Sequence, residues 1–452
     1  MPTPWREMFQ RFDPEGASDQ FAWFVRREKS PIDDIERDLE DELYPLGVHA
    51  LLTGTVGTGK TTELLELARR RSEKNFVVFV DLVAHFNRVV EDDDALLRVA
   101  PWEVCFLAGL QVLRAAEQVL DFVPEAAGYA ALAEAWNAAA TATKTEGANQ
   151  GAIDLAKLAK GLVITASAVA NPVAGSAVAG GLKLLESVSD ASKAERRWNF
   201  PWARSQVTRS DQTEELKSML YLVNQIVAEV ARRHRPVLLV IDGLDRITSV
   251  AQAKQLFVES TLLSRLSCNV VLAGPFALRH RPELTQVRGF RTHVLVNEPV
   301  LSKSNPLEHG PGTRFFVDLY RERVRDVHAE HAITEAQLRR LAYYSGGRAR
   351  EFVALVRLVA RQGVTNKLDQ ATDAMIDSAL DERRRFRERG LNEKHVALLE
   401  QVAKSEQKLL PDDPETWTLI DTERLLPYPN DSEWFYPHPL LQKLLGLRQQ
   451  LE

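Results

Sequence analysis

One short stretch of the sequence carries the clearest chemistry. Residues 54–61, Gly-Thr-Val-Gly-Thr-Gly-Lys-Thr, match the phosphate-binding pattern G-x-x-x-x-G-K-[ST] in full. Glycines at this spacing let the backbone close around phosphate oxygens with N–H groups turned inward. Lys60 is expected to reach the β- and γ-phosphates, the Thr61 hydroxyl to ligate Mg²⁺, and Thr62 to reach a neighbouring phosphate oxygen. The motif therefore predicts a P-loop that binds ATP with Mg²⁺. The predicted nucleotide-binding residues are Gly54, Thr55, Val56, Gly57, Thr58, Gly59, Lys60, Thr61 and Thr62.

An acidic residue follows a second apolar stretch. Residues 237–241 are Val-Leu-Leu-Val-Ile, and Asp242 comes directly after them. A P-loop site needs such a carboxylate to hold the metal ion opposite Thr61. The position after it, which often carries the acid that orients the attacking water, is Gly243. Asp245 is the nearest substitute, so ATP hydrolysis rests on fewer residues than ATP binding.

The elements that must position these residues follow from local patterns. An apolar stretch at 49–53 leads into the P-loop, and a helix with an apolar face is predicted for 61–71. Further buried strands are predicted at 76–82, 236–241, 269–273 and 293–296, and long helices at 101–134, 213–232 and 250–266. After about residue 312 only helices follow until residue 389. Alternating strands and helices followed by helices indicate an α/β sheet domain with a helical appendage.

Several of these segments together resemble a known family. The P-loop, the stretch from Asp242 to Asp245, the strand at 269–274 and Ser-Gly-Gly-Arg-Ala-Arg at 345–350 resemble an AAA+/STAND-type ATPase. The similarity is closest to bacterial and archaeal STAND-like ATP-binding proteins and more distant to origin-initiator ATPases. It implies an ASCE-type α/β P-loop NTPase with a helical lid and a C-terminal winged helix.

The resemblance also implies site residues in the lid. Arg350 matches the lid arginine that contacts the γ-phosphate, and Arg348 competes for the same role. Two departures weaken the case for fast hydrolysis. The strand at 269–273 ends in Ala273-Gly274-Pro275, without a polar sensor residue, and no arginine finger stands out. The arginine-finger candidates are Arg265, Arg279, Arg288 and Arg291.

The predicted organisation has four parts. An N-terminal helical segment covers 1–45, the ATPase core covers 46–300, the helical lid covers 312–388 and the winged helix covers 391–452. The wing hairpin is expected at 425–428 and 434–438, followed by a helix.

A long insertion interrupts the ATPase core at about 141–205. Within it, residues 161–182 contain no charged side chain and are rich in Ala, Gly, Val and Ser. The length is close to the roughly 20 residues that span a bilayer, but several polar residues lie inside it. Three interpretations remain open: a small-residue helical hairpin, a flexible segment and a membrane-active segment.

Composition limits the partners. The chain has 452 residues, a formal net charge of −6, 45% hydrophobic and 27% charged residues. These values are typical of soluble globular proteins and favour a cytoplasmic location, as does the absence of an apolar run in residues 1–20. Cys105 and Cys268 lie among apolar residues and are expected in the core. The wing region carries Asp431, Glu433 and a single lysine in 441–447, which does not favour DNA, because DNA-binding faces are basic.

Three function hypotheses follow. The first is a nucleotide-driven switch that hydrolyses ATP slowly and controls homo-oligomerisation or contact with a protein effector, in bacterial signalling or defence. The second is a DNA-acting AAA+ ATPase, similar to initiators or transposition regulators, that uses the winged helix. The third makes the insertion a membrane effector.

Overall fold

The computed structural model describes residues 4–14, 23–41, 46–86, 96–122, 128–141, 151–154, 199–202, 214–429 and 433–447. Within these residues the helices are α1 Pro4–Arg11, α2 Pro31–Glu40, α3 Lys60–Arg71, α4 Leu82–His85, α5 Pro101–Leu120, α6 Tyr129–Thr141, α7 Glu214–Arg233, α8 Val250–Lys254, α9 Ala277–His280, α10 Thr313–Val324, α11 Glu335–Tyr344, α12 Ala349–Asn366, α13 Asp373–Glu388, α14 Glu393–Lys404 and α15 Pro414–Asp421. The strands are β1 His49–Gly54, β2 Phe76–Asp81, β3 Gly151–Asp154, β4 Asn199–Trp202, β5 Val237–Asp242, β6 Asn269–Pro275, β7 Arg291–Val294, β8 Leu425–Tyr428 and β9 Trp434–Pro437.

The chain divides into two compact units. The sheet unit comprises Pro31–Gly54 and Glu63–Val294. The lid unit comprises Met1–Ser30, Thr55–Thr62 and Leu295–Glu452. The P-loop thus belongs to the lid unit, and the strand that leads into it belongs to the sheet unit. The predicted domain boundaries at 45, 300, 312 and 391 stay predictions.

The sheet unit is built on a five-stranded parallel sheet with the strand order β2-β5-β6-β1-β7. Strands β1, β2, β5 and β6 are almost continuously apolar and buried, as expected of a parallel sheet covered on both faces. Strand β6 lies between β1, which leads into the P-loop, and β5, which ends in Asp242. An additional strand at this place defines the ASCE type, and the predicted fold class is confirmed.

Three long helices pack together beside this sheet. Helices α5 and α6 both contact α7. Gly109 allows the close approach of α5 to α7, since a Cβ there would lie 2.6 Å from Val223 Cγ2. Cys105 and Cys268 are buried, as predicted.

Two helix predictions in this unit were wrong. The predicted helix at 101–134 ends at Leu120, because Asp121 takes the left-handed conformation with φ 49° and α6 starts anew at Tyr129. The predicted helix at 250–266 ends after one π-helical segment, Gln255–Glu259. Pro124 and Gly128 lie between α5 and α6 and are a local signal for the first break, which a prediction from apolar periodicity alone did not use.

The lid unit has its own hydrophobic core. Helices α10 to α13 surround buried aromatic side chains such as Phe316, Tyr320 and Phe352. Helix α1 packs along α12, where the Trp5 indole donates a 2.5 Å hydrogen bond to the Leu368 carbonyl. Trp5 lies directly over Gly363, because a Cβ on that glycine would be 2.3 Å from the indole.

The C-terminal part is a winged helix, as predicted. Helices α14 and α15 are followed by the antiparallel hairpin of β8 and β9, with Leu426 opposite Tyr436. Both strands are buried in the core that α10 to α13 form. Instead of the final helix that was expected, a single 3₁₀ turn covers Pro439–Leu441.

The insertion is only partly described. Strands β3 and β4 form an antiparallel pair, with Gly151 opposite Trp202. The segment 161–182, for which three interpretations were open, lies outside the described residues. No helix among the described residues is both long and apolar enough to cross a bilayer.

Candidate nucleotide-binding site

The P-loop backbone needs glycine at two positions. Gly57 and Gly59 have φ angles of 83° and 108°, in the region that other residues rarely adopt. A Cβ on Gly57 would lie 2.6 Å from Arg348 Nη2, and one on Gly59 would lie 3.2 Å from Arg27 Nη2. The glycines therefore allow both the turn of the loop and the close approach of two guanidinium groups.

Lys60 folds back over this loop. Its side chain is buried, and Nζ donates a 2.8 Å hydrogen bond to the Thr55 carbonyl. The Thr58 hydroxyl donates to the same carbonyl at 3.0 Å. Because Lys60 also begins α3, its ammonium group lies where the helix N-terminus attracts anions. An anion bound in the loop would give this ammonium a charged partner in place of a neutral carbonyl.

Two arginines hold carbonyl groups of the loop. Arg348 donates through Nη2 to the Val56 carbonyl, and Arg27 donates through Nη2 to the Thr58 carbonyl. In a trans peptide, the N–H points away from the C=O. The arginines therefore turn the N–H groups of Gly57 and Gly59 to the opposite side, as a phosphate cradle requires. Sequence reasoning did not identify Arg27, because nothing local to residue 27 indicates a partner 31 residues away.

The lid loop reaches the P-loop through its backbone as well. Gly346 and Gly347 have φ angles of 65° and 79° and turn the chain from α11 into α12. The Arg350 N–H then donates a 3.1 Å hydrogen bond to the Gly57 carbonyl, and its side chain is half-buried. Of the two arginines expected from the resemblance, Arg348 contacts the loop through its guanidinium, and Arg350 contacts it through its backbone N–H. The γ-phosphate role of either residue stays a prediction.

The acidic residues lie in the sheet unit. Asp242 is buried at the carboxyl end of β5, where its Oδ1 accepts a 2.9 Å hydrogen bond from the Gly243 N–H. Asp81 ends β2 and lies opposite Asp242 in the sheet register. Asp245 is half-buried in the short turn that follows β5. The sequence signal for Asp81 was the same as for Asp242, an acid that ends an apolar strand.

The predicted Mg²⁺ site has few possible protein ligands. Among the residues that the structure describes, no group of three or more His, Cys, Asp and Glu side chains is placed to hold a metal ion. Mg²⁺ in P-loop sites is held by a hydroxyl group, phosphate oxygens and water with few carboxylates. Thr61 lies at the start of α3 and Asp242 ends β5, and their predicted role as ligands of Mg²⁺ stays a prediction.

Comparisons with known proteins give structural similarities only. No family model matches the chain, and no curated protein matches it significantly. The Aeropyrum pernix ORC2 protein in its ADPNP-ADP complexes is 11% identical, with 97% of this chain and 96% of that chain covered and a TM-score of 0.41. Drosophila ORC bound to DNA is 10% identical, with 97% and 89% covered and a TM-score of 0.41.

A third similarity covers only part of the chain. The Thermotoga maritima RuvB Holliday junction branch migration motor is 12% identical, with 51% of this chain and 83% of that chain covered and a TM-score of 0.26. The predicted resemblance to an AAA+ P-loop ATPase is confirmed at the level of the fold, for which the strand order and the P-loop are the evidence.

Proposed function

We propose that this protein is an ATP-binding molecular switch that hydrolyses ATP slowly. The observation that supports it best is the seating of the lid on the P-loop. The Arg348 guanidinium and the Arg350 N–H both contact loop carbonyls within one compact unit. A lid that touches the phosphate-binding loop directly is placed to respond to the nucleotide bound there.

The roles of the residues follow from their chemistry. When bound, ATP supplies the γ-phosphoryl group and Mg²⁺ neutralises its charge. Lys60 would bind the β- and γ-phosphates, Thr61 and Asp242 would hold Mg²⁺, and a lid arginine would contact the γ-phosphate. Asp245 is the candidate for orienting the attacking water. Because β6 ends in Ala, Gly and Pro, turnover should be slow unless another subunit supplies a missing group.

The burial of the wing hairpin does not favour contact with DNA through these strands. The β-strands of its hairpin are buried in the lid core, with Trp434 and Tyr428 fully buried. Such strands already have an apolar partner inside the chain. We therefore propose that the nucleotide controls homo-oligomerisation or the exposure of a protein-binding surface.

Nucleotide binding is tested by calorimetric titration of the wild type and of Lys60→Ala with ADP and with a non-hydrolysable ATP analogue. We expect the wild type to bind nucleotide and Lys60→Ala to bind it much more weakly or not at all. Equal affinities of the two proteins would contradict the proposed site. The mass of the assembly with each nucleotide then tests the switch. The same measurement with duplex DNA tests the alternative, because salt-sensitive binding of DNA would favour a DNA-acting ATPase.

A further inference from the structure

Behind Arg348, five charged side chains of alternating sign form a buried to half-buried row inside the lid unit. Glu423 accepts a hydrogen bond from Arg348 through Oε1 and forms a 2.6 Å ion pair with Arg387 through Oε2. Arg387 also contacts Glu351 at 2.5 Å, and Glu351 pairs with Arg383 at 2.6 Å. Three cations and two anions leave one positive charge in excess. Arg348, at the P-loop end, and Arg383, at the other end, each contact one carboxylate, whereas Arg387 contacts both.

This row of charged side chains connects three parts of the lid unit. Arg348 precedes α12 and contacts the P-loop, Arg387 is on α13, and Glu423 follows α15 of the winged helix. Glu423 is therefore one point at which the winged helix is connected to the P-loop, through the guanidinium of Arg348 that both contact.

Glu423 is held in place as an anion. Burial alone would raise the pKa of Glu423. The charges and hydrogen bonds of Arg348 and then of Arg387 outweigh this effect and lower the pKa to about 2. Its backbone has a φ of 63°, a left-handed conformation that is uncommon for a residue with a side chain. The carboxylate is thus ionised at neutral pH and fixed in position beside Arg348.

Arg348 has not used all its donors. Its Nε is buried and has no hydrogen-bond partner among the described residues. A guanidinium offers five N–H donors in a planar fork that matches two oxygens of one anion. Next to it, a Cβ on Gly57 would lie only 2.6 Å from Nη2, so the guanidinium borders the phosphate-binding loop itself.

We propose that Glu423 is a built-in competitor of the nucleotide's terminal phosphate for Arg348. This inference rests on the proposed function, because it concerns the same site. A carboxylate and a phosphate present the same kind of oxygen acceptor to a guanidinium. When Arg348 turns to a phosphate, Glu423 keeps its pair with Arg387, so the exchange leaves no buried charge unpaired. Only ATP presents a γ-phosphate, and so only ATP draws Arg348 away from Glu423 of the winged helix.

The test is to remove the competing charge of Glu423 while Arg348 stays in place. Glu423→Gln keeps the shape of the side chain and removes its charge. Calorimetric titrations of the full chain with Mg²⁺ should show affinity for a non-hydrolysable ATP analogue rising roughly tenfold, while ADP affinity changes less than about threefold. Glu415→Gln is the matched control, because Glu415 is on α15 of the same winged helix but contacts His395 instead of Arg348. Its affinities should equal those of the wild type.

A purely structural role for Glu423 gives different results. In that case Glu423→Gln lowers the melting temperature and leaves the ratio of ATP to ADP affinity unchanged, which overturns the inference. Glu351→Gln provides the reference for this outcome, since Glu351 lies in the same charged row away from the loop. In an Arg348→Ala background, Glu423→Gln should no longer change the ratio.

The two proposals fail in distinguishable ways. Nucleotide binding by the wild type with no gain in Glu423→Gln overturns only the competition by Glu423. Absence of binding in both proteins overturns the proposed function together with this inference. Binding that appears only in Glu423→Gln supports both.

Discussion

At the scale of single residues, the two lid arginines do different things in the structure. Arg348 contacts the P-loop with its guanidinium, whereas Arg350 contacts it with its backbone N–H. Only a side-chain contact is lost on substitution by alanine. Arg348→Ala therefore removes a P-loop contact that the structure shows, while the γ-phosphate role of either arginine stays a prediction and the sequence pattern favours Arg350.

The first prediction separates the two arginines. Arg348→Ala should weaken binding of an ATP analogue roughly 10- to 100-fold and ADP binding much less, because a charge-assisted contact to the γ-phosphate is lost. Arg350→Ala should change both affinities by a similar, smaller factor. Calorimetric titration with both nucleotides measures this. A loss of ATP preference in Arg350→Ala alone would assign the sensor to Arg350.

The second prediction concerns hydrolysis. Asp242→Ala should reduce steady-state ATP turnover on the order of 100-fold, because it removes the carboxylate proposed to hold the metal ion. Asp245→Ala should reduce turnover while leaving ATP affinity intact, if Asp245 orients the water. Phosphate release measured at saturating ATP gives both rates. Turnover that is unaffected in Asp245→Ala would indicate that another group, from this chain or a neighbouring subunit, orients the water.

At the scale of elements, α1 depends on a glycine in α12. Trp5 lies where a Cβ on Gly363 would be 2.3 Å away, so no larger residue fits without moving α1. Glycine is otherwise a poor helix residue, by about 0.5–1 kcal/mol relative to alanine. Its presence in the last turn of α12 is explained by this contact.

The third prediction uses that contact. Gly363→Ala should lower the free energy of unfolding by about 1–3 kcal/mol through overpacking against the indole. In a Trp5→Ala background, the same change should instead raise it by about 0.5–1 kcal/mol, because the helix gains a better residue and nothing clashes. Urea denaturation of the wild type, the two single variants and the double variant gives this double-mutant cycle. The same cost in both backgrounds would show that α1 does not pack there.

The elements also show where sequence reasoning reaches its limit. The P-loop and the strand ending in Asp242 were predicted because their signals lie in consecutive residues. The end of α5 at Asp121 was missed, because a left-handed φ cannot be read from an apolar pattern. The contact of Arg348 with Val56 joins residues 292 apart, so the sequence could present Arg348 as an alternative to Arg350 without deciding between them.

At the scale of the whole molecule, buried histidine couples folding to pH. His438 is fully buried, and its Nδ1 accepts a 3.2 Å hydrogen bond from the Leu440 N–H. Burial lowers its pKa well below 6.5, with a further lowering by Arg387 and Arg348 against the opposing charges of Glu351 and Glu423. In the unfolded chain, the same histidine titrates near 6.5.

The fourth prediction follows from this difference. Below about pH 6.5 the unfolded chain binds a proton that the folded chain does not, so acid destabilises the fold. His438→Asn keeps an acceptor for the Leu440 N–H and does not titrate. The stability of the wild type relative to this variant should fall by up to about 1.4 kcal/mol per pH unit between pH 6 and 5. Denaturation of both proteins at several pH values measures this difference in the free energy of unfolding. The same pH dependence of stability in both proteins would contradict a neutral buried His438.

The packing of α1 on α12 has a consequence for synthesis on the ribosome. Trp5 donates a hydrogen bond to the carbonyl of Leu368, which lies 363 residues later in the sequence. At roughly 5–20 residues per second, the N-terminal helix leaves the ribosome about 20 to 70 seconds before its partner is made. Until then its apolar face, with Trp5 and Met8, has no native surface to cover it. This interval leaves an apolar helix face exposed on the nascent chain, and it delays completion of the lid unit until α12 has been made.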